Sequence, residues 1–181
     1  TLIASPLSDA VILTGGYDTA RLFQGWKPNL RLHAETSGKN ALIITAAADV
    51  DMAIKDLVRS AFGHAGQKCS AASLAIVEAE VYDDPAFRRQ LKDAAASLKV
   101  GGSWTDGAVV TPVIRPPSKE LQRAQTTLDD GEEWLLKPEM IDKNPCLWSP
   151  GIKLGVKPGS WFHKTECFGP VLGIMRVANL D

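Results

Sequence analysis

At 181 residues, with 45% hydrophobic and 23% charged side chains, the chain is long enough for one domain, or one domain and part of another, and apolar enough to bury a core. Its formal net charge of −1 and pI near 6.3 leave no electrostatic reason to expect nucleic acid or an anionic membrane surface as partner. No apolar run approaches the roughly 20 residues that cross a bilayer, and three cysteines without a Cys-x-x-Cys pair suggest reduced thiols in a cytoplasm rather than a disulfide framework or a zinc site.

The opening residues Thr1-Leu2-Ile3-Ala4-Ser5-Pro6 lack an initiator Met and a basic leader, so they do not read as a signal peptide. Both ends are expected to be cut points in a longer chain. Ala10 to Thr14 is a short apolar run that ends at Gly15-Gly16, which reads as a buried strand, a tight turn and then a short helix through Phe23. Arg31 to Glu35 and Ala41 to Thr45 are two further strands. The strongest helix follows, capped by Asp49 or Asp51, with Ile54, Leu57, Val58, Ala61 and Phe62 on one face, and it ends at Gly63 or Gly66.

Ser73 to Val77 reads as a strand. Asp84-Pro85 opens a helix with proline at its first position, with Phe87, Leu91, Ala95 and Leu98 inward and Gly101-Gly102 as its stop. Val109 to Ile114 is expected to be a short strand, and Ser118 to about Leu128 a helix with Leu121, Ala124 and Leu128 inward. Glu132 to Leu136, Ile152 to Val156 and Val171 to Val177 complete the strands. Pro138 to Gly159 is the least regular stretch. Strands alternating with helices indicate an α/β fold with a largely parallel sheet. No internal repeat or low-complexity tract is present.

Three segments carry candidate chemistry. Gly66-Gln67-Lys68-Cys69-Ser70 puts a cysteine in a glycine-containing loop directly after a helix. Taken alone, the plainer reading is a buried, inert thiol, because free cysteine is among the most buried residues. Glu35-Thr36-Ser37-Gly38-Lys39-Asn40 puts a carboxylate at the end of a strand, where sites form in α/β sheets. Alone it reads as a solvated loop glutamate. Glu166-Cys167-Phe168-Gly169-Pro170 sets an acid and an aromatic before a Gly-Pro turn, and alone it reads as a turn with a packed ring.

Together these segments resemble the aldehyde dehydrogenase superfamily. Its signatures are Glu-Leu-Gly-Gly-Lys for the general base, Gly-Gln-x-Cys for the nucleophile and Glu-x-Phe-Gly-Pro for the cofactor ribose. The order is the family's, with 34 positions from Glu35 to Cys69 and 97 from Cys69 to Glu166. Leu13-Thr14-Gly15-Gly16 is similar to the family's Phe-Thr-Gly-Ser turn at the cofactor pyrophosphate, with Gly16 in place of the serine, so only a backbone contact is expected there.

The resemblance implies an aldehyde-dehydrogenase-like three-layer α/β catalytic domain with the end of a Rossmann-like cofactor domain. Residues 1–36 would close the cofactor domain, 37–163 form the catalytic domain and 164–181 begin the return to the cofactor domain. It implies Cys69 as nucleophile, Glu35 as general base, Glu166 and Phe168 against the nicotinamide end of NAD, Gly15 and Gly16 at its phosphates, and no metal. A thiolate attacks an aldehyde readily, and a carboxylate that activates water typically contributes ~10²–10⁴-fold. The family's oxyanion asparagine, in a Pro-Trp-Asn segment, has no counterpart before Cys69. Little activity is therefore expected from these residues alone.

Ser60 to Ala71 and Arg31 to Asn40 are most similar to the 1-pyrroline-5-carboxylate (glutamate semialdehyde) dehydrogenase branch, in particular the dehydrogenase part of the bifunctional proline utilization A family. Thr36-Ser37, in place of Leu-Gly, fits that branch. Ser70 beside the nucleophile offers a hydroxyl to the substrate α-carboxylate, a charge-assisted bond worth roughly 1.5–3 kcal/mol; its plainer role is to satisfy the turn. The resemblance also implies a small-molecule aldehyde as partner, a homo-oligomeric parent and a fused proline dehydrogenase domain. Cys146 and Cys167 read as structural, His33, His64 and His163 as packing or surface residues, Lys39 and Lys68 as solvated, and Trp104, Trp134, Trp148 and Trp161 as core or loop anchors. The competing readings are a dehydrogenase for another aldehyde, a non-catalytic module that retains the fold, and a cysteine hydrolase, which would need a histidine paired with Cys69.

Overall fold

The computed structural model describes residues 2–179, which divide between Gly38 and Lys39 into two units. Residues 1, 180 and 181, the outermost of the expected first and last segments, lie outside the described residues. In the first unit, β1 (Ala10–Thr14) runs parallel to β2 (Arg31–Glu35), with Ala10 opposite Arg31 and Thr14 opposite Glu35. Parallel neighbours need a crossover, and α1 (Tyr17–Trp26) supplies it. This helix runs three residues past Phe23, where Trp26 stacks on the Phe23 ring at 5.7 Å. Ile12 (87% exposed), Leu22 and Trp26 stay in solvent, so the unit leaves much of its apolar surface bare.

The second unit is built on a five-stranded sheet in the order β3 (Ala41–Ile44), β4 (Leu74–Glu78), β7 (Val171–Val177), β6 (Gly151–Leu154) and β5 (Glu133–Leu136). Every neighbouring pair is parallel except β5 with β6. Val171 through Met175 and the whole of β6 are buried, as expected of strands covered on both faces. A Cβ at Gly173 would run into Phe162 and Val156, so the Phe162 ring packs directly on the backbone of the central strand. Within the segment that begins at residue 164, β7 thus runs through the middle of this sheet.

The helices form where the sequence supplies caps and a stripe. In α2 (Val50–Phe62), the Asp49 carboxylate accepts from the Met52 N–H at 3.1 Å, and Ile54, Leu57, Val58, Ala61 and Phe62 are buried. Full burial of each large apolar side chain is worth roughly 1.5–3 kcal/mol. In α4 (Pro85–Ala96) the cap is Asp84, and in α5 (Lys119–Thr126) it is Ser118. Two single-turn helices, α3 (Ala79–Tyr82) and α6 (Trp161–Lys164), are too short to leave a helical period in the sequence.

Several expectations are corrected. Val109 to Ile114 makes no strand, only an isolated bridge from Val110 to Val100. Pro112 has no N–H for a ladder, and the amides of Val113 and Ile114 go instead to the Cys146 carbonyl and the Gln67 side chain. Leu128 does not point inward. Thr127 ends α5 in an extended conformation, its carbonyl accepts from buried Lys153 at 2.6 Å, and Leu128 is left exposed. Leu98 lies past the end of α4 and is half-buried. Strand β6 stops at Leu154 because Gly155 turns away with φ +74°. Trp104 is fully exposed and anchors nothing.

Candidate active site

Helix α2 ends at Phe62, and the chain then enters the left-handed region for three consecutive residues: His64 (φ +55°), Ala65 (+54°) and Gly66 (+67°). A left-handed helical residue other than glycine costs roughly 1–2 kcal/mol. The turn is held by burial of Ala65 and by a hydrogen bond from the Gln67 N–H to the His64 carbonyl at 3.0 Å. Gly66 is the only residue that fits its place, because a Cβ there would press into the carbonyls of Gly169 and Ala61. Strain of this kind persists only where the surroundings over-determine it, and it clusters at functional sites.

Immediately after this turn, the Ala71 N–H closes a tight turn on the Lys68 carbonyl at 3.1 Å, with Cys69 and Ser70 at the tip. Cys69 is exposed, so the plainer reading of a buried thiol does not hold. Asn40, the residue before β3, fixes the tip. Its side-chain amide donates to the Cys69 carbonyl at 2.6 Å and to the Ala71 carbonyl at 3.1 Å. Its own carbonyl accepts from the amides of Ser73 and Leu74. Ser70 is exposed and lines a surface cleft with Asp56, Arg59, His64 and Lys68.

The Glu166 segment follows α6, whose start is capped by Ser160. Glu166 is half-buried, Cys167 is buried, and Phe168 takes a left-handed φ of +52° and is 40% exposed. Gly169 packs so closely on Leu121 that a side chain there would collide with it. Lys39 is not solvated. Its ammonium donates to the Thr165 carbonyl at 3.0 Å and lies 3.9 Å over the Phe162 ring. Burial lowers its pKa to about 8, against the pull of Cys167 and Glu166. Burial also pushes the Cys167 thiol up, while Lys39 draws it back.

Gln67 joins these two segments. Its side-chain N–H donates to the Phe168 carbonyl at 3.0 Å, and its side-chain oxygen accepts from the Ile114 N–H at 3.0 Å. Cys69, Ser70, Glu166 and Phe168 therefore belong to two turns of one unit that Gln67 and the Gly66–Gly169 approach hold together.

Glu35, Gly15 and Gly16 belong to the other unit. Glu35 is the exposed last residue of β2, and its carbonyl accepts from the Gly15 N–H at 3.0 Å. Gly16 caps the start of α1, with nothing within 4 Å of where a Cβ would stand. Ser37 accepts from the Tyr17 N–H at 3.2 Å.

Sequence reading did not single out Asn40 or Gln67 and took Lys39 for a surface lysine. All three lie inside the Glu35–Asn40 and Gly66–Ser70 segments. What was missing was the partner, a backbone carbonyl remote in sequence. A buried ion pair also escaped notice. Lys153 and Glu132 stand 3.1 Å apart with both side chains 2% exposed, and Lys153 also faces the Trp134 and Phe162 rings. The His163 ring accepts from the Gly159 N–H at 2.8 Å and so is committed to its own loop.

Comparison with known proteins follows the same lines. The model of the aldehyde dehydrogenase family matches residues 1–181. Malonate-semialdehyde dehydrogenase 3 of Geobacillus kaustophilus is 31% identical over an alignment of 156 positions that covers 83% of this chain and 32% of that protein. The chain thus spans about a third of the curated relatives' length. Among solved structures, proline utilization A from Corynebacterium freiburgense superposes with a TM-score of 0.94 at 54% identity, over 99% of this chain and 18% of its own. The 1-pyrroline-5-carboxylate dehydrogenase from Thermus with bound NAD gives a TM-score of 0.84 at 26% identity, over 98% of this chain and 36% of its own.

Proposed function

Because this chain belongs to the aldehyde dehydrogenase family, we propose that it is the nucleophile-bearing segment of an NAD-dependent enzyme that oxidises L-glutamate 5-semialdehyde to L-glutamate in proline catabolism. The observation that carries the reading is Cys69, exposed at the tip of a turn that Asn40 fixes through the cysteine's own carbonyl. The choice of substrate is supported by 54% identity to proline utilization A and by Ser70. Ser70 lines a cleft together with Arg59, Lys68 and Asp56, and two cations beside a hydroxyl are a setting suited to a carboxylate. In this reading the first unit is the end of the cofactor domain, and the complete polypeptide is a cytoplasmic homo-oligomer carrying a proline dehydrogenase domain.

The residues of the second unit fit the nicotinamide end of a dinucleotide: Glu166 offers a carboxylate acceptor for ribose hydroxyls and Phe168 an exposed aromatic residue. In the first unit, taken by itself, Gly16 leaves an open approach to the start of α1. When bound, the nicotinamide supplies a two-electron hydride acceptor. The Cys69 thiolate forms a bond to the aldehyde carbon and turns the carbonyl into an alkoxide. Once the hydride had been accepted from that carbon by the bound nicotinamide, the carbonyl would be re-formed and Cys69 would hold the acyl group as a thioester. Glu35 takes a proton from water, whose oxygen adds to the thioester, and the thiolate leaves as the acid forms. No metal enters this scheme.

A second reading has support of its own, since a malonate-semialdehyde dehydrogenase is 31% identical. Both substrates carry a carboxylate, so Ser70 serves either. The test is NADH formation by the complete enzyme and its Cys69→Ala variant, with glutamate semialdehyde and malonate semialdehyde compared. Turnover of the first, abolished in Cys69→Ala, is expected. Preference for the second would move the substrate assignment, and turnover surviving in Cys69→Ala would overturn the mechanism.

A further inference from the structure

The hydrogen bonds of Gln67 carry a consequence for the step between nucleophile and cofactor. Its amide is satisfied at both ends in one orientation only. The N–H end meets a carbonyl, that of Phe168, and the oxygen end meets an amide, that of Ile114, each at 3.0 Å. Turning the amide over would set oxygen against oxygen and N–H against N–H. Gln67 stands two residues before Cys69, directly after the left-handed turn. Phe168, at its other end, is itself left-handed at φ +52°, a conformation a phenylalanine keeps only when its neighbours impose it. Gly66 packs against the Gly169 carbonyl on the same side, so the two turns are pinned at adjacent points.

We propose that Gln67 is a positioning residue for hydride transfer: by holding the left-handed Phe168 turn to the nucleophile turn, it fixes the spacing between the carbon bound to Cys69 and the ring that rests beside Phe168. The inference rests on the reading of Cys69 and Phe168 given above. It differs from a general structural role in acting on one step. In that reading thiolate attack needs the Cys69 turn, and thioester hydrolysis needs that turn and Glu35, but neither needs the Phe168 turn. Hydride transfer needs both turns, and misplacement by about 1 Å can cost roughly 10²-fold.

Gln67→Glu in the complete enzyme tests this. The carboxylate still accepts from the Ile114 N–H but cannot donate to the Phe168 carbonyl. Gln67→Met keeps much of the volume and loses both bonds. For Gln67→Glu, the KM for NAD should rise by ~10-fold, with a larger primary isotope effect on kcat from aldehyde deuterated at the reacting carbon. Hydrolysis of an activated ester, which acylates Cys69 without NAD and bypasses hydride transfer, should fall by at least several-fold less than dehydrogenation does. Gln67→Met should show the same split. An unchanged KM and isotope effect, or equal loss of ester hydrolysis and dehydrogenation in both variants, would overturn the proposal. A wild-type enzyme that the ester does not acylate at Cys69 would instead refute the reading of the site on which it rests.

Discussion

The side-chain amide of Asn40 lies 2.6 Å from the carbonyl oxygen of Cys69, the nucleophile's own backbone, although 29 positions separate the two residues. This bond, with its companion to the Ala71 carbonyl at 3.1 Å, ties an exposed turn to the residue before the edge strand β3. A net hydrogen bond is worth only about 0.5–1.5 kcal/mol, so its effect should be on placement more than on folding.

Asn40→Ala should therefore fold normally but lose roughly 10- to 100-fold in kcat/KM, with little change in the KM for NAD, because the cofactor turn does not depend on Asn40. Steady-state kinetics beside a denaturation curve separate the two effects. A parallel fall in stability of several kcal/mol would show that Asn40 serves the fold instead.

Lys39 should titrate within reach of ordinary buffers. Its pKa is lowered to about 8, chiefly by burial, against an ordinary 10.5. The folded chain releases this proton before the unfolded chain does, so this group makes stability rise with pH between about 8 and 10.5 and adds no slope below that window. The full span corresponds to roughly 3 kcal/mol. Denaturant midpoints of the wild type relative to Lys39→Met, taken at pH 7 and pH 10, should diverge in favour of the wild type at the higher pH. A constant difference would show that Lys39 titrates as a solvated amine.

The Lys153–Glu132 pair is buried on both sides, and one Glu132 oxygen has no hydrogen-bond partner among the described residues. Lys153→Met should leave a carboxylate buried without its cation, at a cost of about 3–5 kcal/mol. Adding Glu132→Gln should recover part of that loss, because the uncompensated charge is then gone. Chemical denaturation of the single and double variants checks this, and a double variant no better than the single would locate the cost in packing around Phe162.

The sequence by itself determined the α/β class, the placement of nearly every strand and the stripe of α2 from Ile54 to Phe62, and it supplied the segments proposed as the site. These are local properties. A repeat of 3.6 or 2 residues, a capping Asp49 or Ser118 and a glycine stop are written in neighbouring residues. It could not decide the fate of Val109 to Ile114, where one proline sent the amides elsewhere, nor of Leu128, where buried Lys153 claimed the carbonyl just before it. Nor could it show that Lys39, Asn40 and Gln67 reach the carbonyls of Thr165, Cys69 and Phe168. A backbone carbonyl looks the same in every residue and leaves no mark in the sequence. Only the sheet order, which sets β3 beside β4 and β4 beside β7, brings those segments within hydrogen-bond reach.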